Sequence, residues 1–209
     1  MEHLPFEIIE IGALKLDSQF REVDSFHRLV KPAVYQELHF KITEVTHMDM
    51  NELEQEGESF PKVMEAFLSW CGEEPIRFCT WGSMDLTELQ RNIAYHGLEN
   101  PFHRPLLYLD IQKLYSLQYG DGKTRLSLDM AVQQQGMEEE GPFHRALEDA
   151  CYTGRILSVL DMERLEIYVS VDYYSLPRNK EEEYRLYFPE YSKLVSREFE
   201  FREEIMEDK

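Results

Sequence analysis

Basic residues are scarce in this chain. It has 22 Lys and Arg against 41 Asp and Glu, a formal net charge of −19. A protein that grips duplex phosphates along a long basic face does not carry that balance. The acid is spread through the whole chain, so no single tail accounts for it. What the balance leaves open is a small, local site that takes one strand end through metal ions, since divalent cations supply positive charge that the side chains lack. Cysteine is also sparse. Cys71, Cys79 and Cys151 stand in apolar settings without CxxC spacing, which argues against a zinc site and for reduced thiols in a cytoplasmic protein. No apolar run approaches the length of about 18 residues that a membrane span needs. The opening MEHLPFEIIEIG is acidic and runs straight into an alternating strand, so no signal peptide is visible.

What is present is a globular composition: 209 residues, 43% apolar and 12% aromatic, enough for one domain with a proper core and an appendage. FEIIEIGALKLD (6–17) has apolar residues on both faces, as an interior strand does. A turn at Asp17-Ser18 leads to a second strand, SFHRLVKP (25–32), stopped by Pro32. FPKVMEAFLSWCG (60–72) predicts an amphipathic helix with Val63, Met64, Phe67, Leu68 and Cys71 on one face and Gly72 at its end. IRFCTW (76–81) reads as a short strand. A helix follows from about Met84 to near Gly97, with Leu86, Leu89 and Ile93 on one side. LLYLD (106–110) is another strand, followed by helices near 111–118 and 127–135 with the turn GDGK between them. In the helix expected around 145–160, Ala146, Ala150 and Gly154 recur every four residues and leave a smooth stripe for close approach to a sheet. The pattern predicts an α/β fold with a mixed sheet, over residues 1–160. From 161 to 209 the sequence turns aromatic and charged with little apolar periodicity, which reads as an acidic C-terminal extension packing through its tyrosines.

Two segments carry candidate chemistry. FHRALEDACYTGR (143–155) sets His144 five residues ahead of Asp149. Five residues is roughly 140° around a helix, so the two converge only if His144 lies in the preceding loop, which Gly141-Pro142 favours. FCTWGSMDLTELQRNIAYHGL (78–98) puts Asp85 just after an apolar strand. Taken alone, each is better explained as a solvated helix surface, Asp85 being a first-turn acid favoured by the helix dipole. Other candidates weigh less. Lys123 and Arg125 in GDGKTR read as a plain turn, and His47, His96 and His103 show no metal-ligand spacing.

Taken together, in this order and at this separation, the segments resemble the DEDDh exonucleases, the DnaQ-like and RNase T-like branch of the RNase H-like fold. FHRALEDA resembles that family's third motif, a histidine and an aspartate five residues apart. CTWGSMDLTEL resembles its second motif, in the tryptophan-containing form of the histone-mRNA-type exonucleases. PFEIIEIGALKLD is similar to the family's second strand, and ITEVT (42–46) to its Leu-Thr-Gly-Ile-Thr-like loop beside the terminal nucleotide. The likeness covers roughly residues 5–160. It implies an RNase H-like mixed β-sheet flanked by helices, and a 3′–5′ exonuclease acting on the 3′ end of single-stranded DNA or RNA with two magnesium or manganese ions. Asp149 would ligate the first ion, Asp85 would help to hold the second largely through water, and His144 would be the general base. Thr43 and Val45 would touch the last base or sugar. Two magnesium ions stabilise attacking and leaving oxygens, hard oxygen ligands suit them, and a histidine titrates near neutrality as a base should.

One motif has no counterpart. The family's first strand bears Asp-x-Glu and lies upstream of the EIIEIG-type strand, whereas this chain begins shortly ahead of Phe6. Glu7 and Glu10 belong to the next strand, where the resemblance gives them no ligand role. The first strand lies in the middle of the sheet in this fold, so its absence leaves two unpaired edges. The expectation is therefore a fragment whose reading frame starts further upstream, inactive or impaired as it stands. The alternative is a catalytically dead RNase H-like module kept for nucleic-acid binding or as a scaffold. A third reading, an unrelated α/β protein whose motifs match by chance, is weaker.

Overall fold

The structure, a computed structural model, describes residues 4–73, 76–99, 101–102, 106–139, 141–161 and 168–170. Strands β1 (Glu10–Leu16) and β2 (Glu22–Leu29) form an antiparallel ribbon in which Gly12 faces His27 and Ala13 faces Phe26. The Asp17 carboxylate ties the turn between them by accepting the Gln19 and Arg21 N–H groups. Three helices follow: α1 (Phe40–Thr46), α2 (Met50–Glu56) and α3 (Phe60–Cys71). Strand β3 (Phe78–Thr80) leads into α4 (Met84–Tyr95), and β4 (Leu106–Asp110) into α5 (Ile111–Tyr119). Helices α6 (Leu128–Gln134) and α7 (Ala146–Val159) complete the helical layer, and β5 (Tyr168–Ser170) closes the sheet.

The strands make two sheets rather than one. β1 pairs with β2, while β3 pairs parallel with β4 and β4 antiparallel with β5. Among the described residues β1 and β3 therefore each keep one edge without a strand partner. The expected interior strand is covered on both faces but, among the described residues, bonded along one edge only.

Alternation along the strands sorts side chains into two layers. Ile11 and Ala13 of β1, Phe26 of β2 and Tyr108 of β4 join α3 and α4 in one apolar cluster, with Val63, Met64 and Phe67 at its centre. Leu16 of β1 and Leu109 of β4 face the other way, onto Leu114, Tyr115, Ile156 and Leu157 of α5 and α7. The periodic faces read from the sequence are the buried ones: Leu86, Leu89 and Ile93 on α4 are each at most 8% exposed.

Two local differences have physical causes. ITEVT is helix, not loop: the His39 side chain accepts the Lys41 N–H, and the Thr46 hydroxyl donates to the Ile42 carbonyl. Helix α2 was not anticipated, although its signal is present. Asp49 accepts the Glu52 N–H at 2.9 Å, the Asp-x-x-Glu pattern of a capped start. In the expected 161–209 extension, only Asp161 and the β5 backbone fall within the described residues; the rest lies outside them, as does His103.

The small-residue stripe does bring α7 onto β1, with the tightest contact on the strand side. A Cβ at Gly12 would stand 2.2 Å from the Ala146 carbonyl carbon and the Leu147 nitrogen, both backbone atoms that cannot rotate away. A Cβ at Gly154 would meet only side-chain tips, Leu14 at 3.1 Å and Leu16 at 3.7 Å. Gly12→Ala should therefore destabilise the fold by about 3 kcal/mol, the upper range of overpacking. Gly154→Ala should stay within about 1 kcal/mol of neutral, because the helix-propensity gain offsets a small shift of Leu14. Urea unfolding of the two variants checks the asymmetry.

Candidate active site

Helix α4 carries Asp85 in its first turn, where Ser83 gives no side-chain cap. The segment ahead of it is fixed by Trp81, whose indole N–H donates to the Leu126 carbonyl at 3.1 Å. Gln112 donates to the same carbonyl at 2.8 Å. Further along α4, the fully buried Asn92 accepts the Ile8 N–H and donates to the Phe6 carbonyl, tying the helix to the segment that enters β1. Asp85 and Asn92 lie two turns apart on one face.

Helix α7 presents Asp149, half-buried, on its first turn. His144 lies in the loop before the helix, as the angular argument required, and is exposed. Its backbone takes φ +70°, in the left-handed region, and its N–H donates to Asp149 Oδ1 at 3.1 Å. The start of the helix is held from outside. Arg145, at the N-cap, provides no capping side chain. Instead the Ala146 N–H donates to Glu10 Oε2 at 3.0 Å and Arg145 Nε to Glu10 Oε1 at 3.2 Å. His27 Nε2 lies 2.7 Å from the same Oε1.

The electrostatics couple the two helices. Burial raises the Asp85 carboxyl to about 6, and the negative charge of Asp149 adds to the rise. The Asp85 residue is nonetheless exposed at the surface, so solvent screens part of the effect. Asp149 is also raised, by burial first; the His144 N–H and then the His144 charge pull it back, and the charges of Glu10 and Glu148 push it up. Asp85 and Asp149 thus meet electrostatically, with His144 bonded to the second.

Two carboxylates near enough for the charge of one to raise the other suit a hard divalent cation. Among the described residues, however, no group of three or more His, Cys, Asp or Glu side chains converges as a cation site. The pair fits a metal ion as part of a ligand set and does not complete one. Thr43 and Val45 are both exposed on α1, a helix with no buried residue. The Thr43 carbonyl accepts the His47 N–H that ends it.

The remaining candidates have structural roles. Arg125 pairs with the buried Asp110 at 2.9 Å, and the loop before it is wound around the Asp121 carboxylate. His47 and His96 cap the ends of α1 and α4, and His96 stacks on Phe60. Burial pushes the Cys79 thiol up to about 11, so it is unreactive. Glu7 accepts the N–H groups of Ala33, Val34 and Tyr35 and is spent on that loop.

Comparison with known proteins decides the assignment. The RNase T-type exonuclease family matches residues 2–157. The chain belongs to the DEDDh exonuclease family. It is 24% identical over 159 residues to the probable 3′-5′ exonuclease KapD of Bacillus subtilis, covering 76% of this chain and 75% of that one. It is 24% identical over 158 residues to mouse 3′-5′ exoribonuclease 1, covering 72% of this chain and 45% of the mouse protein. Among solved structures it resembles the nuclease domain of 3′hExo, a DEDDh family member bound to rAMP. The TM-score is 0.66 at 22% identity, with 79% of this chain and 86% of that one covered. The α/β architecture is thus the RNase H-like fold of DEDDh nucleases.

Sequence reasoning noticed Glu10 but gave it no part in the site. The available signal was a lone carboxylate in an apolar strand, together with a helix whose N-cap residue, Arg145, cannot cap.

The raised Asp85 carboxyl makes a stability prediction. An acid whose folded value lies above its unfolded value of 3.8 destabilises the fold once ionised. The penalty is absent below about pH 4, grows through pH 4–6 and is complete above. In metal-free buffer Asp85→Asn should therefore raise stability at pH 7.5 by about 1 kcal/mol, the solvent-screened share. The gain should vanish at pH 4. Urea midpoints measured against pH read the difference.

Proposed function

We propose that this protein is a metal-dependent 3′–5′ exonuclease that hydrolyses the terminal phosphodiester of single-stranded nucleic acid and releases nucleoside 5′-monophosphates. The observation that carries the reading is the electrostatic influence of Asp149 on Asp85, a carboxylate on a separate helix, with His144, in the loop between α6 and α7, bonded to Asp149 through its backbone N–H. Family membership over residues 2–157 supports it.

Asp149 and Asp85 would hold magnesium or manganese, which when bound supplies the positive charge that a developing phosphate anion needs. The chain's own part is positional. His144, exposed and free to meet solvent, accepts the proton of the attacking water. Asp149 holds the His144 backbone through its N–H. Thr43 and Val45, exposed on α1, offer a hydroxyl and a methyl surface to the last sugar and base. The thiols of Cys71, Cys79 and Cys151, none of them in a disulfide, fit a reducing compartment such as the cytoplasm.

Full activity, in this reading, needs an extended segment bearing two more carboxylates. The unpaired edges of β1 and β3, both packed against α7, support such an insertion. The competing reading, a scaffold with lost catalysis, does not account for a base and two carboxylates being kept in place.

The test uses a 3′-labelled single-stranded oligonucleotide with manganese, comparing the chain as it stands with one preceded by a strand carrying Asp-x-Glu. Mononucleotides should be released at least about a hundredfold faster by the extended chain, and His144→Ala should abolish that gain, as loss of a general base does. An extended chain that binds the oligonucleotide stoichiometrically and leaves it intact would establish the scaffold instead.

A further inference from the structure

Glu10 is the most costly residue on β1. Its side chain is 6% exposed, and a carboxylate taken out of water is tolerated only when its lone pairs are filled. They are filled here by three donors from two elements: His27 Nε2 on β2, Arg145 Nε at the α7 N-cap, and the Ala146 N–H of α7. Leu14 and Leu16, on the same strand face, meet α7 through apolar contact alone. Strand packing does not require an acid at position 10.

The local geometry of the site does require one. Ala146 stands two residues from His144 and three from Asp149. His144 holds a left-handed backbone without being glycine, a conformation that persists only where its surroundings over-determine it. On one side its N–H is bonded to Asp149. On the other, the chain is pinned by Glu10 at Arg145 and Ala146, with the bare Gly12 backbone directly beneath.

We propose that Glu10 is a positioning residue of the exonuclease site: by capping α7 from β1 it sets the backbone at residues 145–146 and thereby the placement of His144 and Asp149. It ligates nothing and touches no substrate. The inference rests on the exonuclease reading for its functional meaning, but the placement itself is measurable without activity.

The full chain, metal-free, is compared with Glu10→Gln and with Leu157→Ala, which weakens α7 at a buried position far from its N-terminus. The readouts are the NMR resonances of the Ala146, His144 and Asp149 amides and of the His144 ring, followed by a manganese titration read as broadening at Asp149. Glu10→Gln should move all four resonances and weaken manganese binding by about tenfold, the loss typical when a group orienting a metal ligand is removed. Leu157→Ala should lower the melting temperature while leaving the His144 and Asp149 resonances in place. The proposal is overturned if Glu10→Gln leaves them unmoved, or if Leu157→Ala moves them as far. A chain that takes up no manganese even when preceded by a strand carrying Asp-x-Glu defeats the exonuclease reading alone, because the resonances decide the role of Glu10 either way.

Discussion

At the start of α7 the N-cap residue is an arginine that cannot cap, and the open N–H of Ala146 is satisfied by Glu10, 136 residues earlier in the chain. The bond fixes β1 and α7 at a separation that only glycine at position 12 allows. The rest of the structure follows from that approach. With its N-terminus held on β1, α7 turns Tyr152, Ile156 and Leu157 toward α5 and α6, and Leu109 of β4 closes the same cluster. The β1–β2 ribbon lays its opposite face, through Ile11, Ala13 and Phe26, on α3. A buried carboxylate is a poor source of net stability, so the value of this one lies in specifying where two elements distant in sequence must meet.

The same region gathers negative charge in a chain already at −19. At Asp85 burial outweighs the charge of Asp149 as a cause of the raised carboxyl. Lost hydration therefore disfavours ionisation there even before like charges are counted. A divalent cation reverses both effects, since it removes the repulsion and replaces lost hydration with direct coordination. The global acid matters less than it first suggests. Screening confines charge–charge repulsion to about 8 Å at physiological salt, so a strand end is repelled over a short approach only. The chain gains no long-range steering of a polyanion, and its hold on one would be short-ranged and metal-borne.

Much of this was legible in the sequence, for identifiable reasons. Helices α3 and α4 announce themselves by period, and their predicted apolar faces are almost wholly buried, while the predicted small-residue stripe of α7 is half-buried against β1. His144 was placed in a loop because five residues on a helix would have pointed it away from Asp149, and the loop is where it lies. Short elements were less legible. Helix α1 buries nothing, so it leaves no apolar period to read, and its helical state rests on the His39 cap and the Thr46 hydroxyl. The role of Glu10 was invisible for a different reason. Its three donors come from residues 27, 145 and 146, and neither spacing nor period connects such distant positions.

Among the described residues, the open strand edges and the incomplete ligand set express one physical situation. Seven residues of β1 present about three N–H and three C=O groups to the edge away from β2, as any antiparallel strand does. Their residues are half-buried, so water satisfies only part of that demand. Each group left without a partner when buried costs about 1–3 kcal/mol, set against a total stability of only about 5–15 kcal/mol. A strand inserted beside β1 would relieve those groups, and any side chain it turned toward α7 would enter the neighbourhood of Asp149. Stability and catalysis are then not independent properties that happen to share a domain. In the proposed reading, the backbone bonds that complete the sheet also deliver the carboxylates that complete the site, so the chain cannot gain either without the other.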